Sequence, residues 1–458
     1  MDKSSKKVWI ISLCLTCVFS LCFGYYLSYR VNEDEKTKLE IIQEIMENEW
    51  YYGIDDEDIS STLETKMILS MQDLNKDPYT KYLTSLGSLA DSYKGIGVTI
   101  NKYGEYYIIS EVSSKTTIDA GIRVNDILVS INGISVKNMT LTDIQNTVSS
   151  RVDVSLGIVR DGNEVIPENV ITINTMVQEY NPITVFTKEY NDSISYIKIT
   201  EFNMDTASMM RAYLETLGSN YTDLIIDLRG NPGGYISSVQ QVLDIFVRSN
   251  KVVMYTVDKH GNVSTVKTKD DNDYIFDEIY ILIDNNSASG AEALAAAMAH
   301  HLNNVILYGD TTYGKGRAQK TYYFEDGTYF HYTYALWKTP ADKTINHIGV
   351  SPSVGYEDVN DGISSVTLYD VEYKLYDYGE GVKSIQTILS KLGLYSGPIH
   401  SFMDEETVDA LKEFQRVNGL VETGKSDRDT LSMFSKYLYD DKRAFEERQL
   451  EDVLALFD

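Results

Sequence analysis

Cysteine is nearly absent: the 458 residues hold three, and Cys14, Cys17 and Cys22 all fall before residue 25. No disulfide framework and no cysteine-built zinc site can form in the rest of the chain. Histidine is scarce too. The six present show no metal-ligand spacing, because His300 and His301 are adjacent where a helical ligand pair needs a wider interval. A Cys- or His-built metal centre is therefore not expected, nor is an organic cofactor. Positive charge is the third deficit, with 41 Lys plus Arg against 68 Asp plus Glu and a formal charge of −27. Phosphate backbones repel such a chain, and no basic patch breaks the pattern, so nucleic acid is not an expected partner. What remains is ordinary globular composition, 43% hydrophobic and 24% charged, at a length that allows about two to four domains.

The amino terminus suggests a location. Lys3, Lys6 and Lys7 precede an apolar stretch over 8–29, and Glu33, Asp34 and Glu35 follow it. About 20 apolar residues cross a bilayer as a helix, and cationic residues stay on the cytoplasmic side. The flanks lack a small-x-small cleavage site, so the spacing predicts an uncleaved signal anchor over 1–30 with the remaining chain outside the cell membrane. Beyond it, helical spacing of Leu39, Ile42, Ile45 and Met46 predicts a helical segment over 33–92. Short β-rich runs with turn signals at Asn132-Gly133 and Asp161-Gly162 follow over 93–175. Alternating strand and helix patterns over 176–360 predict an α/β layer. A small helical piece covers 380–438, and 439–458 reads as a polar acidic tail. The fold class is thus multidomain α+β.

In the β-rich piece, Gly95-Ile96-Gly97-Val98 is a glycine-punctuated loop entering a strand. Its amides can cradle a carboxylate while the strand pairs with an extended peptide. In the α/β piece, a buried-type strand runs into Arg229-Gly230-Asn231-Pro232-Gly233-Gly234, where glycines let backbone amides approach a ligand. A second strand leads to Ser287-Ala288-Ser289-Gly290-Ala291-Glu292 and an alanine-rich helix. A serine at that junction sits where a helix amino terminus favours developing negative charge, although most such serines merely cap the helix. Either Ser287 or Ser289 fits a nucleophile. Neither His331 nor His347 lies in a context resembling a triad. Lys315, between Gly314 and Gly316, is a better base, provided that burial keeps its amine neutral. Gln319 can accept a hydrogen bond from that amine without adding charge. Activity rising into alkaline pH is the corollary.

Five motifs in order resemble the C-terminal processing peptidases, the tail-specific proteases of peptidase family S41. They are Asp77-Pro78-Tyr79-Thr80-Lys81-Tyr82, a PDZ-like module with Gly95-x-Gly97 and Asp126-Ile127-Leu128, and Asp227-Leu228-Arg229-Gly230-Asn231-Pro232-Gly233-Gly234. Ser287 to Glu292 and Tyr313-Gly314-Lys315-Gly316 complete the series. The resemblance covers about 40–355. It implies a crotonase-like α/β core using a Ser/Lys dyad, with Ser289 as nucleophile, Lys315 as general base and Gln319 orienting the lysine. The oxyanion hole would combine the Gly290 amide with that of Gly233 or Gly234. The PDZ module, through Gly95, Ile96, Gly97 and Val98, would capture exposed, unstructured protein C-termini.

Two departures stand out. Gly290 and Ala291 follow Ser289 where the family commonly has Ala and Ser, and the Ser289-to-Lys315 interval is one residue longer than usual. Neither removes a group the chemistry needs. In the C-terminal piece, Ile385-Gln386, Leu392-Gly393-Leu394-Tyr395, Phe414-Gln415 and Asn418-Gly419-Leu420 resemble the small three-helix peptidoglycan-binding domain, with His400-Ser401-Phe402-Met403 departing from its usual loop. The implied protein is a single-pass, outward-facing membrane endopeptidase acting on protein tails, with peptidoglycan as a further partner and self-association left open. A catalytically inactive PDZ scaffold tethered to the wall is the rival reading. Acyl transfer on small molecules is the third.

Overall fold

The structure is a computed structural model and describes residues 77–83, 93–160, 165–191, 193–218, 220–270, 274–324, 328–356 and 366–457. The expected membrane anchor, and the expected helical segment up to residue 76, lie outside the described residues. The chain forms two compact units, one of residues 1–85 with 319–333 and one of 86–318 with 334–458.

In the first unit, strand β1 (Lys81–Leu83) pairs antiparallel with Tyr329, Phe330 and His331. The Asp77-to-Thr80 motif is the turn that starts it. Asp77 accepts from the Tyr79 amide (3.2 Å) and the Thr80 hydroxyl (2.7 Å), and its Oδ1 also accepts from Thr333 Oγ1 at 3.2 Å.

The second unit opens with the β-rich module. Strand β2 (Tyr93–Gly95) pairs with β9 (Gln178–Tyr180), and a sheet runs in the order β3 (Val98–Tyr103), β4 (Tyr106–Val112), β5 (Ile127–Ile131), β7 (Asp153–Val159), β8 (Ile171–Met176). Strand β6 (Ile134–Ser135) returns on β5 through Asn132 and Gly133, both at positive φ, as an Asn-Gly turn requires. Helices α1 (Lys115–Asp119) and α2 (Leu141–Ser149) complete the module. Its core gathers Ile109, Leu128, Ile131, Leu156 and Ile158. Asp126 is buried, and Arg160 holds it through two hydrogen bonds of 2.7 Å.

The α/β core is a six-stranded sheet in the order β10 (Val185–Tyr190), β11 (Ile194–Ile199), β12 (Asp223–Asp227), β15 (Glu278–Ile283), β16 (Val305–Gly309), β19 (Val354–Gly355). All neighbours after β10/β11 are parallel. Parallel strands are buried on both faces, and β15 accordingly reads Ile279-Tyr280-Ile281-Leu282-Ile283 without alternation. Helices α3 (Thr206–Leu214), α4 (Ile236–Leu243) and α5 (Gly290–His301) cover one face, packing Val239 and Leu294 into one core with Ile226 and Ile281 of the sheet. Strands β13 (Val252–Asp258) and β14 (Val263–Lys267) form a separate antiparallel pair, which Ala335–Lys338 extends.

The C-terminal module packs α6 (Glu380–Lys391), α7 (Glu405–Val417) and the start of α8 (Arg428–Leu454) around Ile385, Leu389, Phe414 and Phe434. Two buried glutamines hold its loops. Gln386 donates to Phe402 O and Thr407 Oγ1, both 3.0 Å, and Gln415 donates to Lys425 O and Thr430 Oγ1, both 2.9 Å. The expected acidic tail is not a tail. Helix α8 is 27 residues long and runs through 439–454, and Val453, Leu450, Leu454 and Phe457 cover the other face of the sheet over Ile225, Tyr280 and Leu282. Charged residues dominate its sequence, but four apolar side chains at its end suffice to dock it.

Candidate active site

Three adjacent parallel strands, β12, β15 and β16, release their loops at the same end of the sheet, where open α/β sheets bind ligands. The loops carry Gly233-Gly234, Ser287-to-Ser289 and Lys315 in that order.

The first two loops are joined by hydrogen bonds. Ala288 N donates to Asn231 O (2.9 Å), Gly230 N to Asp284 Oδ1 (2.9 Å) and Ser287 Oγ to Leu228 O (2.8 Å). Ser287 is fully buried, and its hydroxyl also donates to Asp284 Oδ1 and accepts from the Asp284 amide, both at 3.0 Å. It is a structural staple. Ser289 differs: it is half-buried and sits at φ 52°, ψ −109° immediately before α5. Helix-capping residues ordinarily have extended backbone, so this serine is held in a sparsely populated conformation at a strand-to-helix turn.

Gly233 and Gly234 press against that turn. A Cβ on Gly233 (φ 107°) would lie 2.7 Å from Gly290 N and 2.8 Å from Ser289 Cβ. A Cβ on Gly234 (φ 138°) would lie 2.2 Å from Phe202 O. Only glycine fits either position. Phe202 pairs with Gly234 as a parallel bridge, donating to Gly233 O and accepting from Tyr235 N, both at 2.8 Å. Asn231 Oδ1 takes the Gly233 amide at 2.8 Å, while Asn231 Nδ2 donates to Ile199 O.

The third loop is tied in by Glu292, whose carboxylate is completely buried in the first turn of α5. Its Oε2 accepts from Ser289 N (2.8 Å) and Lys315 N (2.9 Å), and its Oε1 from Thr312 Oγ1 (2.6 Å) and Gly314 N (2.8 Å). Four donors offset the desolvation of the carboxylate. The Lys315 carbonyl accepts from Trp337 Nε1 at 2.9 Å, so the lysine backbone is fixed on both sides. Gln319 belongs to the other compact unit, where its Nε2 donates to Thr333 Oγ1 at 3.4 Å. His331, in that same unit, pairs with Thr321, and His347 contributes its backbone amide to Gly314 O.

At the β-rich module, Ile96 is buried, Gly97 (φ 63°) leads into β3, and β3 is the edge strand of its sheet. A Cβ on Gly97 would lie 2.8 Å from Ser114 N, so this turn too requires glycine.

A family model for peptidase family S41 matches residues 193–356, a PDZ domain model matches 88–159 and a peptidoglycan binding domain model matches 378–434. The S41 match falls on the α/β core that carries Ser289 and Lys315. The chain is 29% identical to the carboxy-terminal processing protease CtpA of Bacillus subtilis (strain 168), over 86% of this chain and 84% of that one. It is 26% identical to a protein of Staphylococcus saprophyticus named "Probable CtpA-like serine protease", over 92% and 85%. A solved Bacteroides fragilis NCTC 9343 chain assigned to the S41 proteases shares the fold, with TM-score 0.50 and 15% identity over 69% of this chain and 90% of that one. The chain is thus a serine-type C-terminal processing protease, a hydrolase of peptide bonds.

No sequence pattern assigns a role to Asn231 or Asp284, or a loop-binding role to Glu292. Glu292 did carry a signal, since Ser289-x-x-Glu292 has the spacing of a capping box. Nothing in the local sequence marked Asn231 as the partner of the Gly233 amide.

Proposed function

We propose that this peptidase is a membrane-anchored, outward-facing enzyme in which Ser289 is the nucleophile and Lys315 the general base. The conformation of Ser289 carries this reading, because a φ of 52° is a strained backbone for a half-buried serine at a strand-to-helix turn, while Ser287 is fully buried and consumed by three hydrogen bonds. The neutral Lys315 amine takes the Ser289 proton as Oγ attacks the scissile carbonyl. Negative charge then develops on the carbonyl oxygen, and backbone amides receive it. Because Asn231 engages Gly233, the amides of Gly234 and Gly290 form the oxyanion hole. Collapse expels the amine fragment, and water releases the acyl group. Gln319 orients the lysine in this proposal, as the family motif implies. The PDZ module, through Gly95 to Val98, seats a substrate C-terminus along the free edge of β3, and the C-terminal module holds the enzyme at peptidoglycan.

The test is turnover of an unfolded protein ending in a free apolar C-terminus by the full-length chain, beside the same substrate amidated at its end. Cleavage that is lost in Ser289→Ala and in Lys315→Ala, and slowed by amidation, supports the reading. Cleavage persisting in Ser289→Ala overturns the nucleophile assignment, and tail binding without any turnover favours the scaffold. Protease digestion of intact cells tests the orientation, since an outward-facing enzyme is removed from the surface.

A further inference from the structure

Helix α8 reaches the oxyanion loop. Asp227 and Arg229, at the end of β12, form an ion pair that is almost wholly buried. Arg229 Nε and Nη2 donate to Asp227 at 2.9 and 2.6 Å. Its remaining nitrogen, Nη1, donates to Glu446 O (2.8 Å) and to Gln449 Oε1 (2.9 Å), both on α8. Gln449 is itself 1% exposed. Burial opposes charge on Asp227, but Arg229 and Lys198 outweigh it and hold the carboxyl far below its usual range. The guanidinium is therefore charged, almost wholly buried and dependent on α8 for two of its acceptors. A buried cation that loses acceptors must move or take up water.

Both ends of Gln449 touch elements that lead to the site. Arg229 stands four residues before Gly233 in the loop that holds the oxyanion glycines. On the other side, a Cβ on Gly309, at the end of the strand before the Lys315 loop, would lie 2.7 Å from Gln449 Nε2. The same helix begins in the core of the C-terminal module with Leu431 and Phe434. It then crosses the PDZ module, where Tyr439 donates to Asn125 Oδ1 and Tyr103 donates to the Asp440 carboxylate, all at 3.1 Å. Between these contacts lies a cavity of about 590 Å³ lined by Glu111, Lys198, Arg229 and Arg443, so the PDZ module and core are not continuously packed there. One helix thus meets the wall-type module, the tail-binding module and the catalytic loop in succession.

We propose that Gln449 is a positioning residue that acts through Arg229 on the oxyanion loop, so that seating of the C-terminal helix sets the turnover number. This rests on the Ser289 and Gly234 reading above. The experiment compares the full-length parent with Gln449→Ala, Gln449→Glu and Ser289→Ala. It reads kcat and KM on the unfolded protein substrate, affinity for a C-terminal tail peptide, and hydrogen exchange of segment 228–234. Gln449→Ala is expected to lower kcat on the order of tenfold, with KM and tail affinity unchanged and loop exchange faster. Gln449→Glu, which keeps an acceptor facing Arg229, is expected to restore both turnover and protection. Unchanged loop exchange in Gln449→Ala overturns the proposal, as does equal impairment of the Ala and Glu variants. Turnover persisting in Ser289→Ala overturns the nucleophile assignment instead, and loop exchange still decides the coupling.

Discussion

The backbone amides of Ser289 and Lys315 donate to one and the same oxygen, Oε2 of Glu292, at 2.8 and 2.9 Å. Two residues 26 positions apart are thereby registered against each other by a carboxylate that belongs to neither loop's reactive chemistry.

Replacing Glu292 should break that registration. Glu292→Gln keeps the shape but turns two acceptor positions into a donor group facing amide donors. Each buried donor left unmet costs about 1–3 kcal/mol, and about 1.4 kcal/mol is tenfold in rate. The expected result is a kcat at least roughly tenfold lower, with tail-peptide affinity unchanged. Normal turnover in Glu292→Gln would show that the loops are held by other contacts.

The two serines should separate cleanly. Ser289→Ala is expected to abolish turnover at little cost in melting temperature, since its hydroxyl sits at the helix cap and staples no loop to another. Ser287→Ala strips partners from Leu228 O and from both groups of Asp284, a loss of about 1–3 kcal/mol. It should melt earlier yet still cleave. The reverse pattern would transfer the nucleophile role to Ser287.

Glycine is demanded unequally at positions 234 and 290. Gly234→Ala drives a methyl to 2.2 Å from the Phe202 carbonyl oxygen at a φ of 138° and should yield no active enzyme. At Gly290 an added methyl would meet Val239 Cγ2 at 3.1 Å and the Gly233 and Gly234 backbone at 3.3 Å, a far milder crowding. Turnover of Gly290→Ala should stay within about tenfold of the parent. Steady-state kinetics of the two variants decides the matter.

A pH effect follows from Glu111 on β4. Burial pushes its carboxyl above the ordinary value of 4.5, and the charge of Glu201 adds to this, against the opposing influence of Lys198. A carboxyl raised in the folded state binds its proton more tightly there than in the unfolded chain. Its ionisation therefore costs stability at neutral pH, and the cost fades as pH falls toward 4.5. Glu111→Gln should melt higher than the parent at neutral pH and lose that advantage on acidification. A difference in melting temperature that is constant with pH would contradict this.

Much of this was readable from residues, and the reasons are local. Gly233, Gly234, Ser289 and Lys315 advertise themselves because a turn that brings backbone to a ligand needs glycine, and a strand ending in such a turn has a sequence signature. Which glycine amide Asn231 engages was not readable, because it depends on where the Asn231 side chain folds back. The end of α8 was misread for another reason. Asp, Glu, Lys and Arg fill most of 439–452, and only Leu450, Val453, Leu454 and Phe457 face the sheet, too few for a helical stripe to show. Tertiary contact, which no local pattern records, makes that segment part of the core.

The continuity of α8 also fixes a length. Phe434 is anchored in one hydrophobic core and Gln449 against Arg229, with the 14 residues 435–448 of uninterrupted helix between them. Each residue added or removed between them would turn Gln449 by about 100° and shift it by about 1.5 Å. Composition along that stretch is held by half-buried side chains and by contacts such as those of Tyr439 and Asp440, and insertions or deletions would upset all of them at once. The helix behaves as a gauge in which residue count carries information alongside residue identity.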